Sequence, residues 1–239
     1  VAIIDGHPFL CHLDSIICMS YGNYISIISS FLNTIESPKI LEIGIEHGAP
    51  TLAILNNLID KNSNFYYYGI DIHIRDNIKE FALKNKDYNI HFHEQNSLDQ
   101  LPILVEEAQK FDLILLDGDH NYYTVTRELN YIQNLMHQQS YLIVDDYHGP
   151  WALSDYWYGE EHDSPQKGNP MASKKIKDDI VKHGVQTATN DWLDNNKELE
   201  LYSLSEGELF KHNKNKKLKD EKLKYSLAVL LKYKEICPI

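Results

Sequence analysis

Short apolar runs alternate with amphipathic segments through most of the chain, and this alternation predicts the architecture. Residues 39–44 (KILEIG) read as a strand. Residues 50–60 read as a helix, with Pro50 in its first turn and Leu52, Leu55 and Leu58 forming an apolar stripe. Strands are expected at 65–71 (FYYYGID), 88–93, 111–117 (FDLILLD) and 140–146 (SYLIVDD), with helices at 75–85, 98–110 and 124–136 between them. The run at 111–117 is apolar throughout apart from Asp112, as befits a strand buried on both faces. Five strands alternating with helices predict an α/β fold with a doubly wound parallel sheet and right-handed crossovers. Ligands of such sheets sit beyond the carboxyl ends of the strands, at the point where strand order reverses.

The flanks follow different patterns. Residues 1–36 are expected to form an N-terminal helical cap, with one or two helices over 13–32 and a break at Ser37-Pro38. Residues 37–212 form the core. Within it, 147–171 is a long loop rich in Trp, Tyr, Gly, Pro and acids, read as a lid or acceptor-binding segment. A helix is expected over 173–183, stopped by Gly184, and a hairpin over 199–212. Residues 213–239 are expected to carry a C-terminal amphipathic helix over 217–236, with Leu218, Leu223, Leu227, Leu230 and Leu231 near helical spacing.

Composition narrows the class. The 239 residues suit one domain with decorations, and 43% apolar content excludes a disordered chain. The longest mostly apolar stretch, 24–32, is short and broken by serines, so no bilayer-spanning helix is expected. The net charge of −12 disfavours nucleic acid as a partner, and the basic segment 211–224 reads as a solvated face. Cys11, Cys18 and Cys237 make no zinc spacing and no even disulfide set, which points to a reducing, cytoplasmic setting.

Candidate chemistry gathers at the expected strand ends. Glu42, Gly44 and Gly48 form E-x-G-x-x-x-G between a strand and a helix, where glycine permits close approach and unusual dihedrals. An acid there repels phosphate and favours an ammonium or sulfonium ligand. Asp71 ends the second strand, placed either to accept ribose hydroxyls or to cap the next helix. Asn96 and Ser97 follow the third, placed to touch an adenine edge or to cap the following helix. Asp117-Gly118-Asp119-His120 and Asp145-Asp146-Tyr147-His148 end two strands that the topology makes neighbours, about 4.8 Å apart. Carboxylates so close call for a cation, a shared proton or a basic partner. No arginine or lysine lies in either motif, so a hard divalent metal such as Mg²⁺ is expected, against the alternative that these acids cap helices and face water.

These residues resemble the class I S-adenosylmethionine-dependent methyltransferases, and more narrowly the metal-dependent small-molecule O-methyltransferases of the macrocin and novobiocin type with their cephalosporin-hydroxylase-like relatives. The resemblance covers roughly residues 37–150, with the hairpin 199–212 fitting the last two strands. It implies a Rossmann-like sheet of seven strands with the last antiparallel. By that resemblance, Glu42, Gly44 and Gly48 line the methionine end of the cofactor, Asp71 holds its ribose, and Asn96 and Ser97 its adenine side. Asp117 borders the cofactor and, with Asp145 and Asp146, falls where the metal-dependent members bind Mg²⁺. Asp119 falls where a general base is proposed, and His120 and His148 are the other candidates to take the proton. The expected function is methyl transfer to a hydroxyl of a small-molecule acceptor, with a homo-oligomer left open. The alternatives are a nicotinamide-dependent oxidoreductase, disfavoured by the missing third glycine, and a non-catalytic methyltransferase-like binding module.

Overall fold

The computed structural model describes residues 3–4, 7–8, 25–61, 64–156, 181–205, 208–211 and 228–234. After a two-residue antiparallel ladder between Ile3–Ile4 and His7–Pro8, the elements are α1 (Ile25–Leu32), β1 (Lys39–Ile43), α2 (Ala49–Asp60), β2 (Tyr66–Asp71), α3 (Asp76–Lys84), β3 (Asn89–Glu94) and α4 (Ser97–Glu106). They continue with β4 (Phe111–Leu116), α5 (Tyr122–Leu135), β5 (Met136–Val144), α6 (Val185–Asn195), β6 (Leu199–Ser205), β7 (Glu208–Lys211) and β8 (Val229–Tyr233). The expected α/β alternation holds from β1 to β5.

The strands form one sheet in the order β3-β2-β1-β4-β5-β8-β6-β7. The first five pair in parallel, and order reverses between β1 and β4. β8 enters antiparallel between β5 and β6. The order through β6 is the expected Rossmann-like seven-stranded sheet with one antiparallel member, and β7 adds an edge strand through its hairpin with β6.

Alternation along each strand feeds two cores. Ile114 and Leu116 of β4 join Val125, Leu129, Ile132, Ala188 and Trp192 from α5 and α6 on one face. Leu113 and Leu115 join Ile28, Leu32, Ile54, Leu55 and Leu58 from α1 and α2 on the other. Helices thus cover both faces of a parallel sheet, which is why its strands are apolar throughout.

Three sequence expectations need correction. Residues 229–233, read as part of a terminal helix, form β8. Val229 and Leu231 enter one core while Ala228 and Leu230 enter the other, a period of two that a short continuous apolar run conceals. The antiparallel member of the seven is accordingly β8, not the second arm of the hairpin. Gly184 does not end a helix: residues 181–183 are non-helical, and it precedes α6 as N-cap with φ 85°. Glycine is compatible with either helix end, and here close approach sets the choice, since a Cβ would lie 2.3 Å from the Ala152 carbonyl oxygen. The remainder of the expected helices over 13–32, 173–183 and 217–236, and of the loop beyond Tyr156, lies outside the described residues. Among the described residues, no helix is long and apolar enough to cross a membrane.

Candidate active site

Parallel strands deliver their carboxyl ends to one edge of the sheet, and strand order reverses between β1 and β4, the point beyond which ligands of such sheets bind. The candidate site residues from Glu42 to His148 stand at or just after the ends of these strands. β4 and β5 run side by side in register, Leu116 opposite Val144, so Asp117 and Asp145 leave the sheet together. The Asp145 N–H donates to the Leu116 carbonyl (3.0 Å) and the Asp117 N–H to that of Ile43 (2.8 Å), pinning the turn after β4 between its neighbours.

The centre of the site is His120. Its Nε2 lies 3.1 Å from Asp117 Oδ1 and its Nδ1 3.2 Å from Asp146 Oδ2, with the imidazole buried. Burial alone would depress this histidine. The bond to Asp117 and the charges of Asp117, Asp146 and Asp145 outweigh it and push the imidazole up to about 9. Burial raises all three aspartates: Asp117 against the pull of His120, Asp145 further through Asp117 and Asp146, and Asp146 against His120. The basic partner that the two acidic motifs require is therefore within them, a role the sequence reading did not give to His120.

One donor atom each from Asp117, His120 and Asp146 fall within 4.8 Å of one another, the gathering of metal-ligand type found among the described residues. The set holds His120 where the sequence reading named Asp145. Asp145 is buried beside it, and its Oδ1 accepts the N–H of Asp146 at 2.8 Å. Asp146 itself has φ 52°, and Glu46 in the β1–α2 turn has φ 48°. Left-handed non-glycine residues are uncommon and cost of order 1–3 kcal/mol, so both turns at this edge hold local strain.

The three proposed bases separate. Asp119 Oδ2 accepts from the Thr124 hydroxyl (2.9 Å) and from the Asn121 amide, while Asn121 Oδ1 caps the Thr124 N–H (2.8 Å), so Asp119 helps build the start of α5. His148 is half-buried with its ring edge-on to Tyr147 at 4.7 Å, outside the gathered set. His120 alone of the three belongs to the cluster.

The cofactor-side residues are brought to this edge with local duties of their own. Asp71 Oδ2 accepts the N–H groups of Ile45 (2.7 Å) and Glu46 (2.9 Å), and its Oδ1 that of His73 (2.9 Å). It clamps the β1–α2 turn and does not cap α3, whose N-cap is Arg75. Glu42 is fully buried and accepts from the Thr51 hydroxyl at 2.9 Å. Gly44 (φ 85°) packs against the turn after β4, where a Cβ would meet the Asp117 carbonyl oxygen at 1.9 Å. Gly48 (φ 73°) packs against Ile78, whose Cδ1 would be 2.1 Å from a Cβ. Asn96 caps α4 through the Leu98 N–H (2.9 Å). Ser97 donates its hydroxyl to Glu128 Oε1 at 2.6 Å.

Glu128 was not singled out in the sequence, although a signal was present. It interrupts the apolar stripe Val125, Leu129 and Ile132 of α5 on its buried side. Asp155 was also missed. Its Oδ1 accepts the N–H groups of Tyr122 and Gly184, both at 2.8 Å, and its Oδ2 lies 2.6 Å from His183 Nδ1. With the Tyr156 N–H donating to the His120 carbonyl (2.9 Å), it ties the first part of the 147–171 loop to the site.

Residues 41–147, from β1 through the second acidic motif, match the methyltransferase domain family. In structure the chain is similar to the O-methyltransferase TomG of Streptomyces achromogenes, involved in tomaymycin synthesis and solved with S-adenosylmethionine. The TM-score is 0.52 at 15% identity, over 90% of this chain and 79% of that one. It is equally similar to a Klebsiella pneumoniae protein proposed to be an O-methyltransferase, with a TM-score of 0.50 at 15% identity over 90% of this chain and 80% of that one. No curated protein matches the chain in sequence. The stretch from β1 to Tyr147 thus matches a methyltransferase domain, and the chain as a whole shares the fold of these solved proteins.

Proposed function

We propose that this domain methylates a hydroxyl of a small molecule with the help of a divalent cation. The observation that carries the reading is the cluster of Asp117, buried His120 and Asp146 beside the switch point of the sheet. The residues fit both absent groups. Asp71 and Asp117, with Glu42 buried behind them, place acids at this edge of the sheet, which suits a sulfonium-bearing nucleoside. Two carboxylates and an imidazole with donor atoms within 4.8 Å suit a divalent ion, with Mg²⁺ leaning on the oxygens and a borderline metal also on the nitrogen. TomG, a structural neighbour involved in making a small molecule, agrees with this acceptor class.

When bound, the cofactor supplies an electrophilic methyl group and the cation acidifies the acceptor hydroxyl. The chain supplies placement and proton handling. Asn96 and Ser97 would orient the nucleoside, and Asp71 would set the β1–α2 turn beside it, so that the acceptor could meet the methyl group along one line. Of the chain's own groups, His120 would be the one to receive the acceptor's proton. Asp117 and Asp146 hold His120 protonated while their charge is directed at it. Asp117 and Asp146 would be the carboxylates to hold a cation, and with their charge so engaged His120 would be freer to take a proton near neutral pH.

Calorimetry with S-adenosylmethionine and NAD, followed by turnover on a panel of vicinal-diol sugars and catechols, tests the reading. Binding of the sulfonium cofactor is expected, as is turnover lost to a chelator and to Asp117→Ala or Asp146→Ala. Preference for NAD would overturn the cofactor. Turnover indifferent to chelation would remove the cation.

A further inference from the structure

Beside the turn that follows β4 lies a buried acid that the proposed mechanism does not use. Glu128 sits within α5 and is wholly buried. Its Oε1 takes the Ser97 hydroxyl at 2.6 Å, and a Cβ on Gly118 would lie 3.3 Å from the same oxygen. Its Oε2 is buried and has no hydrogen-bond partner among the described residues. The carboxyl group therefore stands between the first residue of α4 and the turn that follows β4. Those are two of the segments beyond the carboxyl ends of the strands, where the nucleoside is expected.

A buried carboxyl group is a costly way to fill that space. Leucine would complete the apolar stripe of α5 without desolvating a polar group. Burial pushes Glu128 up to about 8, so near neutral pH it is chiefly an uncharged acid that can both donate and accept. A neutral acid can grip a hydroxyl without importing charge beside Asp119 and Asp117.

We propose that Glu128 is a positioning residue of the nucleoside pocket, whose buried carboxyl group holds the Ser97 hydroxyl and the Gly118 turn at a set separation and thereby sets the slot for the adenine. The inference rests on S-adenosylmethionine being the cofactor.

Its test is calorimetric binding of S-adenosylhomocysteine, with kcat and KM for S-adenosylmethionine, in wild type, Glu128→Gln, Glu128→Ala, Ser97→Ala and the Ser97→Ala/Glu128→Ala double variant. Loss of one buried hydrogen bond at the slot should weaken binding and raise KM about tenfold in Glu128→Ala, with kcat at saturating cofactor nearly unchanged. Glu128→Gln should recover most of the affinity, because an amide oxygen still accepts from Ser97. The double variant should bind no worse than the worse single one, since both remove the same bond. Wild-type affinity in Glu128→Ala, a fall in kcat with affinity unchanged, or additive losses in the double variant would each overturn the role of Glu128. A wild-type chain that binds no S-adenosylhomocysteine overturns the cofactor reading itself, a distinct result. Should Glu128→Ala fail to fold, Ser97→Ala decides alone: folded protein with wild-type affinity sinks the proposal.

Discussion

Gly44 and Gly48 look interchangeable in the sequence, but the structure separates them. Both are left-handed, at φ 85° and 73°, so alanine at either pays a similar backbone cost of about 1–2 kcal/mol. The steric cost differs in kind. At Gly44 a Cβ would meet backbone, the Asp117 carbonyl oxygen at 1.9 Å and the Gly118 Cα at 2.8 Å. Relief requires moving the end of β4 away from β1 against the Asp117 N–H bond to Ile43, for a further cost of about 1–3 kcal/mol. At Gly48 it would meet a side-chain tip, Ile78 Cδ1 at 2.1 Å, with Cγ1 at 2.9 Å. Ile78→Val removes the nearer atom and on its own costs about 0.5–1.5 kcal/mol. Gly48→Ala should therefore be partly rescued in the Ile78→Val background, by roughly 1 kcal/mol, whereas Gly44→Ala should add to Ile78→Val without rescue. Urea unfolding followed by tryptophan fluorescence gives the two double-mutant cycles. If Gly48→Ala and Ile78→Val prove strictly additive, or if Gly44→Ala costs no more than the backbone part, the steric reading of this motif is wrong.

Other expectations follow from the buried charges and the loop anchor. Glu128, raised from 4.5 to about 8, stabilises the fold only while protonated, so Glu128→Gln should match wild type below pH 4.5. The advantage of the glutamine should then grow by about 1.4 kcal/mol per pH unit to roughly 5 kcal/mol by pH 8, and a gap that does not change with pH contradicts the assignment. His120, raised from 6.5 to about 9, contributes stability that is complete below pH 6.5 and lost as pH rises through 9. Its NMR titration in metal-free protein should show a protonated ring at pH 7.5 that shifts down on addition of Mg²⁺; a midpoint below 7 without metal refutes the ion-pair geometry. Asp155→Ala removes the acceptor of the Tyr122 and Gly184 N–H groups and should cost about 2–4 kcal/mol, with faster amide exchange at both sites. Unchanged protection there would show that Asp155 anchors nothing.

What the sequence revealed, and what it hid, follows from the range of the interactions. The β1–β5 alternation was legible because strands buried on both faces are apolar throughout and helices between them show one stripe. The neighbourhood of Asp117 and Asp145 followed from topology alone. β8 was hidden because its register alternates between two cores that the chain does not announce locally, so VLLKY suits a helix as well as a strand. Gly184 was misplaced because its partner, the Ala152 carbonyl, is distant in sequence. At the site, the residue types were readable but their partners were not. Whether Asp71 faces ribose hydroxyls or the Ile45 and Glu46 amides, and whether His120 bridges Asp117 and Asp146, depends on side-chain directions that spacing does not encode.

The place of β8 bears on how the molecule is made. Among the described strands its residues come last in sequence, yet they sit in the interior of the sheet, bonded on both sides. A ribosome must release all the parallel strands and the β6–β7 hairpin before the segment that joins them becomes available. Until then the outer side of β5 is an open ladder of amides and carbonyls, the kind of edge that invites pairing with another nascent chain. Closure at this late, long-range junction is expected to be the slow step of maturation and the point at which a chaperone would matter most.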